Sequence, residues 1–408
     1  MSRAVWLLGV WGVTRLVLLL YVLRVWAFPG ADVTTDVSVI YQGWYDVLRQ
    51  GTFPLHDVTW QYPPAAALAI LSPGLLPFLG YTTAFFVLAC LADLTVLSLL
   101  GYAGGRRDRS RLGAWMWVAG VPLLGPTVYA RYDLLVTALA VGGLLTVARH
   151  PRAAGVLAGL GAMVKVWPVL ILTGLRGRDG RRAWAAAATA AGALALLFAL
   201  TMPGAFAFLA FQRDRGTEVE SLGALVFHAA RHFGWRGEVL LNYGSVEFLG
   251  PYVGVVSTAA LGLTGAAFGW LLLWRLRVAR RGTGSPPSAV ADAAFTAVLL
   301  FTVTSRVISP QYLVWLIGLA GVCLCFPGTR MRPPALLLLP AALLTVLEFP
   351  AGFEHVVASD AYGTALLFLR NGLLLLAALL AARGLWRSTS DRLPVSRAER
   401  PRSSASRW

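Results

Sequence analysis

Between Asp36 and Pro64 the chain reads DVSVIYQGWYDVLRQGTFPLHDVTWQYPP. This polar interval follows an apolar segment at 4–28 and precedes a long series of further apolar runs. Four carboxylates, Asp32, Asp36, Asp46 and Asp57, crowd it together with Tyr41, Trp44, Tyr45, Trp60 and Tyr62. Trp44 and Tyr45 follow Tyr41 by three and four residues, so an amphipathic helix would carry all three on one face. An aromatic helical face beside carboxylates suits a lipid headgroup or a sugar. An ordinary acidic loop with Trp and Tyr as interfacial anchors would read the same way.

The rest of the chain decides what kind of protein surfaces here. Its 408 residues are 57% hydrophobic and 13% charged, with a mean hydropathy of +0.67, too apolar for a soluble globule. Apolar runs of roughly 18 residues or more recur along its length, the pattern of membrane-spanning helices. The first, at 4–28, is too long for a signal-peptide core and reads as uncleaved. A net charge of +16 does not indicate nucleic acid, because the basic residues fall in short loops between apolar runs and Lys165 is the only lysine. Cys90, Cys323 and Cys325 lie inside apolar runs and form neither a disulfide framework nor a metal quartet.

Basic clusters at 106–111, 149–152, 176–182, 275–281, 330–332 and after Arg383 set the topology. Placing them and Arg3 in the cytoplasm collects 24 of the 35 basic residues there, as the positive-inside rule favours. Both termini are then cytoplasmic. Spans near 4–28, 82–104, 112–129, 133–148, 183–210, 248–274, 289–307, 310–326, 334–349 and 364–384 give about ten full crossings. Segments 64–79, interrupted by Pro73, Gly74 and Pro77, and 153–175, interrupted by Lys165 and Pro168, must begin and end on one side. They read as re-entrant or broken helices, which survive at membrane depth only where protein or water covers them. The expected architecture is an all-α polytopic membrane domain at 1–386 with an outer amphipathic-helix loop at 30–62. A basic, disordered cytoplasmic tail at 387–408 is expected to lie near anionic lipid.

With this topology the outer side holds 13 of the 19 acidic residues and every unusual polar motif. Arg131-Tyr132-Asp133 breaks an apolar hairpin; it is either a simple turn or a phosphate contact, since an Arg fork bonds phosphate in bidentate fashion. QRDRGTEVES at 212–221 is either a solvated loop or an arrangement of Arg213 and Arg215 held by Glu218 and Glu220 for an anionic headgroup. Ser309-Pro310-Gln311-Tyr312 turns between two spans one helical turn after Arg306. Glu348, Glu354 and His355 flank the last outer loop. Lys165 is an intramembrane cation, a functional candidate by default, or a residue that snorkels or caps its broken helix. Arg15, Arg24, Asp93 and Arg370 also fall within apolar runs, where packing roles are commoner. The histidines have no metal-ligand spacing, and no glycine-rich phosphate loop is present. Neither a metal nor a cofactor is expected.

These motifs together resemble bacterial membrane mannosyltransferases of glycosyltransferase family 87, within the GT-C superfamily. Asp36, Tyr41, Gly51, Pro54, Asp57, Tyr62, Pro63 and Pro64 match its D…Y…G…P…D…YPP first-loop pattern in order. RYD at 131–133, a span, then MVKVWP at 163–168 is similar to the arrangement in glycosylphosphatidylinositol mannosyltransferases of the endoplasmic reticulum. RDRGTEVES and SPQYLVW look like further family-87 signatures, and the resemblance runs over residues 30–315. It implies a GT-C-like helical bundle and transfer of a hexose, usually mannose, from a polyprenyl-phosphate donor at the outer face of the cell membrane. The acceptor would be a lipid-linked or glycan hydroxyl. Many family members carry Gly-Gln or Gly-Asn where this chain has Arg131-Tyr132-Asp133.

The resemblance implies that Asp36 is the catalytic base, and the residues agree. Asp32 can cap its loop, Asp46 points away from the aromatic face, and Asp57 can orient Trp60–Tyr62. A lipid-monophosphate donor needs no nucleotide pocket, and an inverting displacement needs one base. Candidate substrate-binding residues are Tyr41, Trp44, Asp57 and Tyr62 in the first loop and Arg131 and Asp133 after it. Arg215, Glu220, Arg306, Gln311 and Tyr312 follow later in the chain, with Lys165 and His355 as further candidates. A secondary transporter or flippase is the alternative; it should show inverted repeats around a midplane site, and no convincing repeat is visible.

Overall fold

The computed structural model describes residues 3–281 and 287–388, so the tail from 389 to 408 lies outside the described residues. The chain is an all-α polytopic membrane protein. Helices Arg3–Val22, Tyr81–Gly104, Gly177–Thr201, Val253–Arg281 and Ala361–Ser388 are long and apolar enough to cross a bilayer. Between them stand the shorter helices Asp133–Thr146, Pro151–Val164, Ala289–Thr304, Tyr312–Leu324 and Arg332–Glu348. At 1.5 Å per residue, 13 to 17 residues reach only about 20–25 Å, short of a hydrocarbon core of about 30 Å. The shortfall leaves headroom for one polar chamber. Arg131, Lys165, Ser305, Tyr312 and Phe349, all at or near the ends of these helices, line it.

The interrupted segment at 153–175 folds back as expected. Helix Pro151–Val164 stops at Lys165, whose backbone is extended, and a 3₁₀ turn, Trp167–Leu172, carries the chain down again. Pro168 enforces the break, since it lacks an amide proton to continue the helical ladder. Ile171 returns beside Gly143, and Gly174 packs on Val290. Lys165 therefore sits at the apex of a re-entrant hairpin. The other interrupted segment forms helix Ala66–Leu71, which runs on into a 3₁₀ turn, Ser72–Leu75, and its start meets the hairpin apex where the Ala65 amide donates to the Met163 carbonyl at 2.9 Å.

The loop at 30–62 is helical over Asp36–Tyr41, with π-helical pairing, and over Gln42–Leu48. Val37, Tyr41, Trp44 and Leu48 form its buried stripe. Tyr45 leaves that stripe and packs instead on Tyr81, ring centroids 4.9 Å apart, because Tyr41 and Trp44 already fill the inner face. The expected span at 183–210 is also divided: helix Gly177–Thr201 ends before Pro203-Gly204, and a short helix, Phe208–Asp214, follows.

A small sheet adds to the helices. Strands β1 (Thr217–Glu218), β2 (Glu238–Asn242) and β3 (Ser245–Leu249) pair antiparallel in the order β1-β3-β2, with Glu218 opposite Glu247 and Asn242 opposite Ser245. Val219, Phe227, Phe248, Val356 and Leu367 give this cap a hydrophobic cluster of its own. His228 is buried within it, hydrogen-bonded to the Val219 carbonyl and to Ser359 Oγ, both at 2.8 Å; burial pushes its imidazole down to about 4.

The re-entrant hairpin is held by close backbone approach. A Cβ at Gly155 or Gly159 would strike the carbonyl of Ala183 or Ala187 in helix Gly177–Thr201, which runs alongside in the same direction. Small residues at such contacts are how helices in lipid gain packing energy. Gly159→Val should cost about 1–3 kcal/mol by overpacking. A lower unfolding midpoint in detergent would register it, whereas the same change at Gly269, with open space around it, should leave the midpoint unchanged.

Candidate active site

A cavity of about 610 Å³ opens where the shortened helices end. Asp36, on the first turn of the helical loop after the first span, reaches its wall and forms an ion pair with Arg131, whose side chain is almost buried. Arg131 also donates to the Ala130 carbonyl at 3.0 Å, which fixes the guanidinium from behind. Aromatic rings support this pair: Tyr41 stacks on Trp44 at 5.5 Å, and Tyr132 packs on both Tyr41 and Tyr62, at 5.9 and 5.3 Å. Burial pushes the Tyr62 hydroxyl up to about 12, so it is a neutral hydrogen-bonding group at the cavity wall.

Lys165 projects from its hairpin apex into the same cavity. Its ammonium lies 2.7 Å from Asp133, and Asp133 also accepts from Trp315 Nε1 at 2.6 Å. Tyr62, Tyr132, Tyr312 and Trp315 surround the ammonium, with centroids 4.9 to 5.6 Å away. Each ring face contributes cation–π attraction, which partly offsets the desolvation of the charge.

The 212–221 segment supplies the facing wall. Arg215 Nε lies 3.2 Å from Glu247 Oε1, and its Nη2 donates to Ser245 Oγ at 2.7 Å. Glu247 is fully buried and further accepts from the Gly216 amide and Asn242 Nδ2. Arg306 spends its donors on main-chain carbonyls, Arg215 at 2.7 Å and Gln212 at 2.8 Å. Glu218 accepts from the Ile308 amide at 2.6 Å and Ser309 Oγ at 2.9 Å. Glu220 shares Arg370 with Glu348. Burial pushes the Glu218 and Glu220 carboxyls up; for Glu220 the neighbouring Glu218 and Glu348 act in the same direction.

Asp36, Tyr62, Arg131, Lys165, Arg215, Glu220, Arg306, Gln311 and Tyr312 thus converge on one cavity from distant parts of the sequence. Five expected candidates do not line it. Tyr41 and Trp44 belong to the buried stripe of the loop helix. Asp57 is turned inward, accepting Trp44 Nε1 at 2.7 Å and the Thr59 amide at 2.9 Å, so it braces the loop. Asp133 stands behind the wall as the counter-ion of Lys165. His355 is caught by Asp360, Nδ1 to Oδ2 at 2.5 Å. Glu247, Ser245 and Tyr243 were not anticipated. Their signal is the alternation in SVEFL after a Tyr-Gly turn, a hairpin pattern easily lost in a chain dominated by apolar helices. Among the described residues no three His, Cys, Asp or Glu side chains are grouped to hold a metal ion.

Fold and site define a polytopic membrane protein with one charged, aromatic-lined cavity. Residues 60–310 match glycosyltransferase family 87, and the chain belongs to that family. Asp36 lies just outside the matched residues. Among solved structures the chain is similar to ArnT from Cupriavidus metallidurans bound to undecaprenyl phosphate, with 14% identity and a TM-score of 0.45; the match covers 95% of this chain and 78% of that one. No curated protein matches by sequence.

The Arg370 cluster yields a stability prediction. Arg370→Met leaves Glu348 and Glu220 buried without their cation, and breaking such a group costs about 3–5 kcal/mol. Thermal unfolding in detergent should drop sharply. Restoring part of the balance with Arg370→Met/Glu348→Gln should recover most of the loss.

Proposed function

We propose that this glycosyltransferase moves a hexose, with mannose the first choice, from a polyprenyl monophosphate to a hydroxyl of a lipid-linked or glycan acceptor, with inversion. The observation that carries this reading is the placement of Asp36, a half-buried carboxylate on a cavity wall that also bears Arg131, Lys165 and Arg215. Phe208, Leu209, Leu261 and Phe301 give the same cavity an apolar flank suited to a lipid chain. Asp36 takes the proton of the acceptor hydroxyl as its oxygen attacks the anomeric carbon. The bond from that carbon to the phosphate oxygen breaks, and the polyprenyl phosphate leaves with the electron pair. Arg131 and Lys165, with Arg215 opposite, stabilise the charge that gathers on the phosphate, and the bidentate fork of arginine suits it. Arg306 supports this indirectly, by holding the Arg215 backbone. The catalytic domain is residues 1–386, and membrane lipids flank it.

Purified protein in lipid nanodiscs should consume radiolabelled polyprenyl-phosphate mannose when acceptor is supplied, and sugar nucleotide alone should give no product. Losing a positioned base costs about 10² to 10⁴ in rate. Asp36→Asn should fall into that range with folding intact, while Asp46→Asn, which is exposed, should keep most activity. Transfer at the wild-type rate by Asp36→Asn would move the base elsewhere. Solute uptake without transfer would point to a transporter.

The cavity is placed at the outer face of the cell membrane, with both termini cytoplasmic, on the strength of the arginine distribution. Cysteines introduced at the exposed positions Gly51 and His232 should then react with an impermeant thiol reagent in intact cells. A cysteine at Arg107 should stay protected, and the opposite pattern would invert the orientation.

A further inference from the structure

The hairpin joining β2 to β3 turns at Tyr243 and Gly244, both with positive φ, 46° and 75°. Two such residues in a two-residue hairpin loop mark a type I′ turn, whose first position favours Asn, Asp or Gly. A bulky side chain with positive φ is an outlier, strained by its Cβ against the following carbonyl. Strain of this kind persists where the side chain is wanted for something else. Tyr243 lines the cavity, as does Leu241 near the end of β2. Its ring and hydroxyl make no hydrogen bond or ring contact among the described residues.

The turn is also well placed. Gly244 packs on Thr59, where a Cβ would lie 3.3 Å from the Thr59 Cα and carbonyl oxygen, so the hairpin tip bridges the cavity to the loop that carries Asp36. On the other side, Ser245 Oγ receives Arg215 Nη2 at 2.7 Å. An unpartnered aromatic face is thereby held on the cavity wall between that loop and a guanidinium. Polarised C–H bonds on one face of a pyranose ring match the negative face of an aromatic ring.

We infer that Tyr243 is a carbohydrate platform, stacking a pyranose ring in the cavity, either the sugar carried by the donor or the terminal sugar of the acceptor. This rests on the glycosyl-transfer reading and adds a specificity-determining residue to it. The turn tolerates tyrosine because the ring is used.

Tyr243→Asn tests this, since asparagine is a preferred residue at that turn position. The variant should unfold at the same temperature as wild type or higher, yet transfer less well. An aromatic contact of about 0.5–1.5 kcal/mol corresponds to a rise of about two- to twelvefold in one KM. Tyr243→Phe should stay close to wild type. Varying each substrate against saturating partner separates the sources: a raised donor KM puts the donor sugar on the ring, and a raised acceptor KM puts the acceptor sugar there. Wild-type constants for both in Tyr243→Asn overturn the inference, as does a Tyr243→Phe variant equally impaired. Absence of transfer by wild-type protein would instead defeat the glycosyl-transfer reading. Calorimetric binding of methyl mannoside to nanodisc-held protein then decides for Tyr243 without turnover: weaker binding by Tyr243→Asn sustains the platform, and unchanged or absent binding removes it.

Discussion

The guanidinium of Arg370 is the point on which the cavity side of the molecule depends. Fully buried, it bonds Glu348 at the end of one helix, the carbonyl and carboxylate of Glu220, the carbonyl of Ile308 and the side chain of its neighbour Asn371. Three stretches of chain, around 220, 308 and 348, are tied to one planar cation on a fourth, and its five donors have fixed directions. A lysine could not hold them, because an ammonium offers three donors from a single atom. Glu218, two residues before Glu220, extends the same tie to Ile308 and Ser309. The cap and its hairpin rest on this junction.

Around the cavity the charges come already matched: Asp36 with Arg131, Asp133 with Lys165, Arg215 with Glu247. Pairing is what makes these groups tolerable in a membrane-embedded bundle, where an isolated ion is expensive. It also grades them. Arg306 and Asp57 have their bonding capacity directed into protein, so they shape the cavity without facing it freely. Arg131 and Lys165 keep cavity-facing surface, and Asp36 has 30% of its side chain exposed.

Much of this was legible beforehand, and for a physical reason. Basic residues sort by membrane side, so counting arginines assembled Asp36, Arg131, Arg215 and Gln311 on one face before any contact was known. The helix break after Val164 was equally readable, because Pro168 cannot donate the bond a continuing helix needs. What sequence spacing could not supply was the direction of each side chain. Asp57 reads as a residue that orients its loop, but only the fold shows that Trp44 is what it holds. Asp133 sits beside Arg131 in the chain but turns to a lysine 32 residues later. The sheet was missed because β1 has only two residues, and its partner, β3, lies about thirty residues further on.

The Asp133–Lys165 pair has a polarity set by chain direction. Asp133 opens helix Asp133–Thr146, and Lys165 follows the end of the neighbouring helix Pro151–Val164. The partial positive charge of free amides gathers at the first site and that of free carbonyls, negative, at the second. Acid and base therefore each sit in the macrodipole field that favours them. Exchanging the two residues would keep the composition of the pair while setting both charges against their helices. The order of the pair, acid before base, is thus as much a part of the site as its composition.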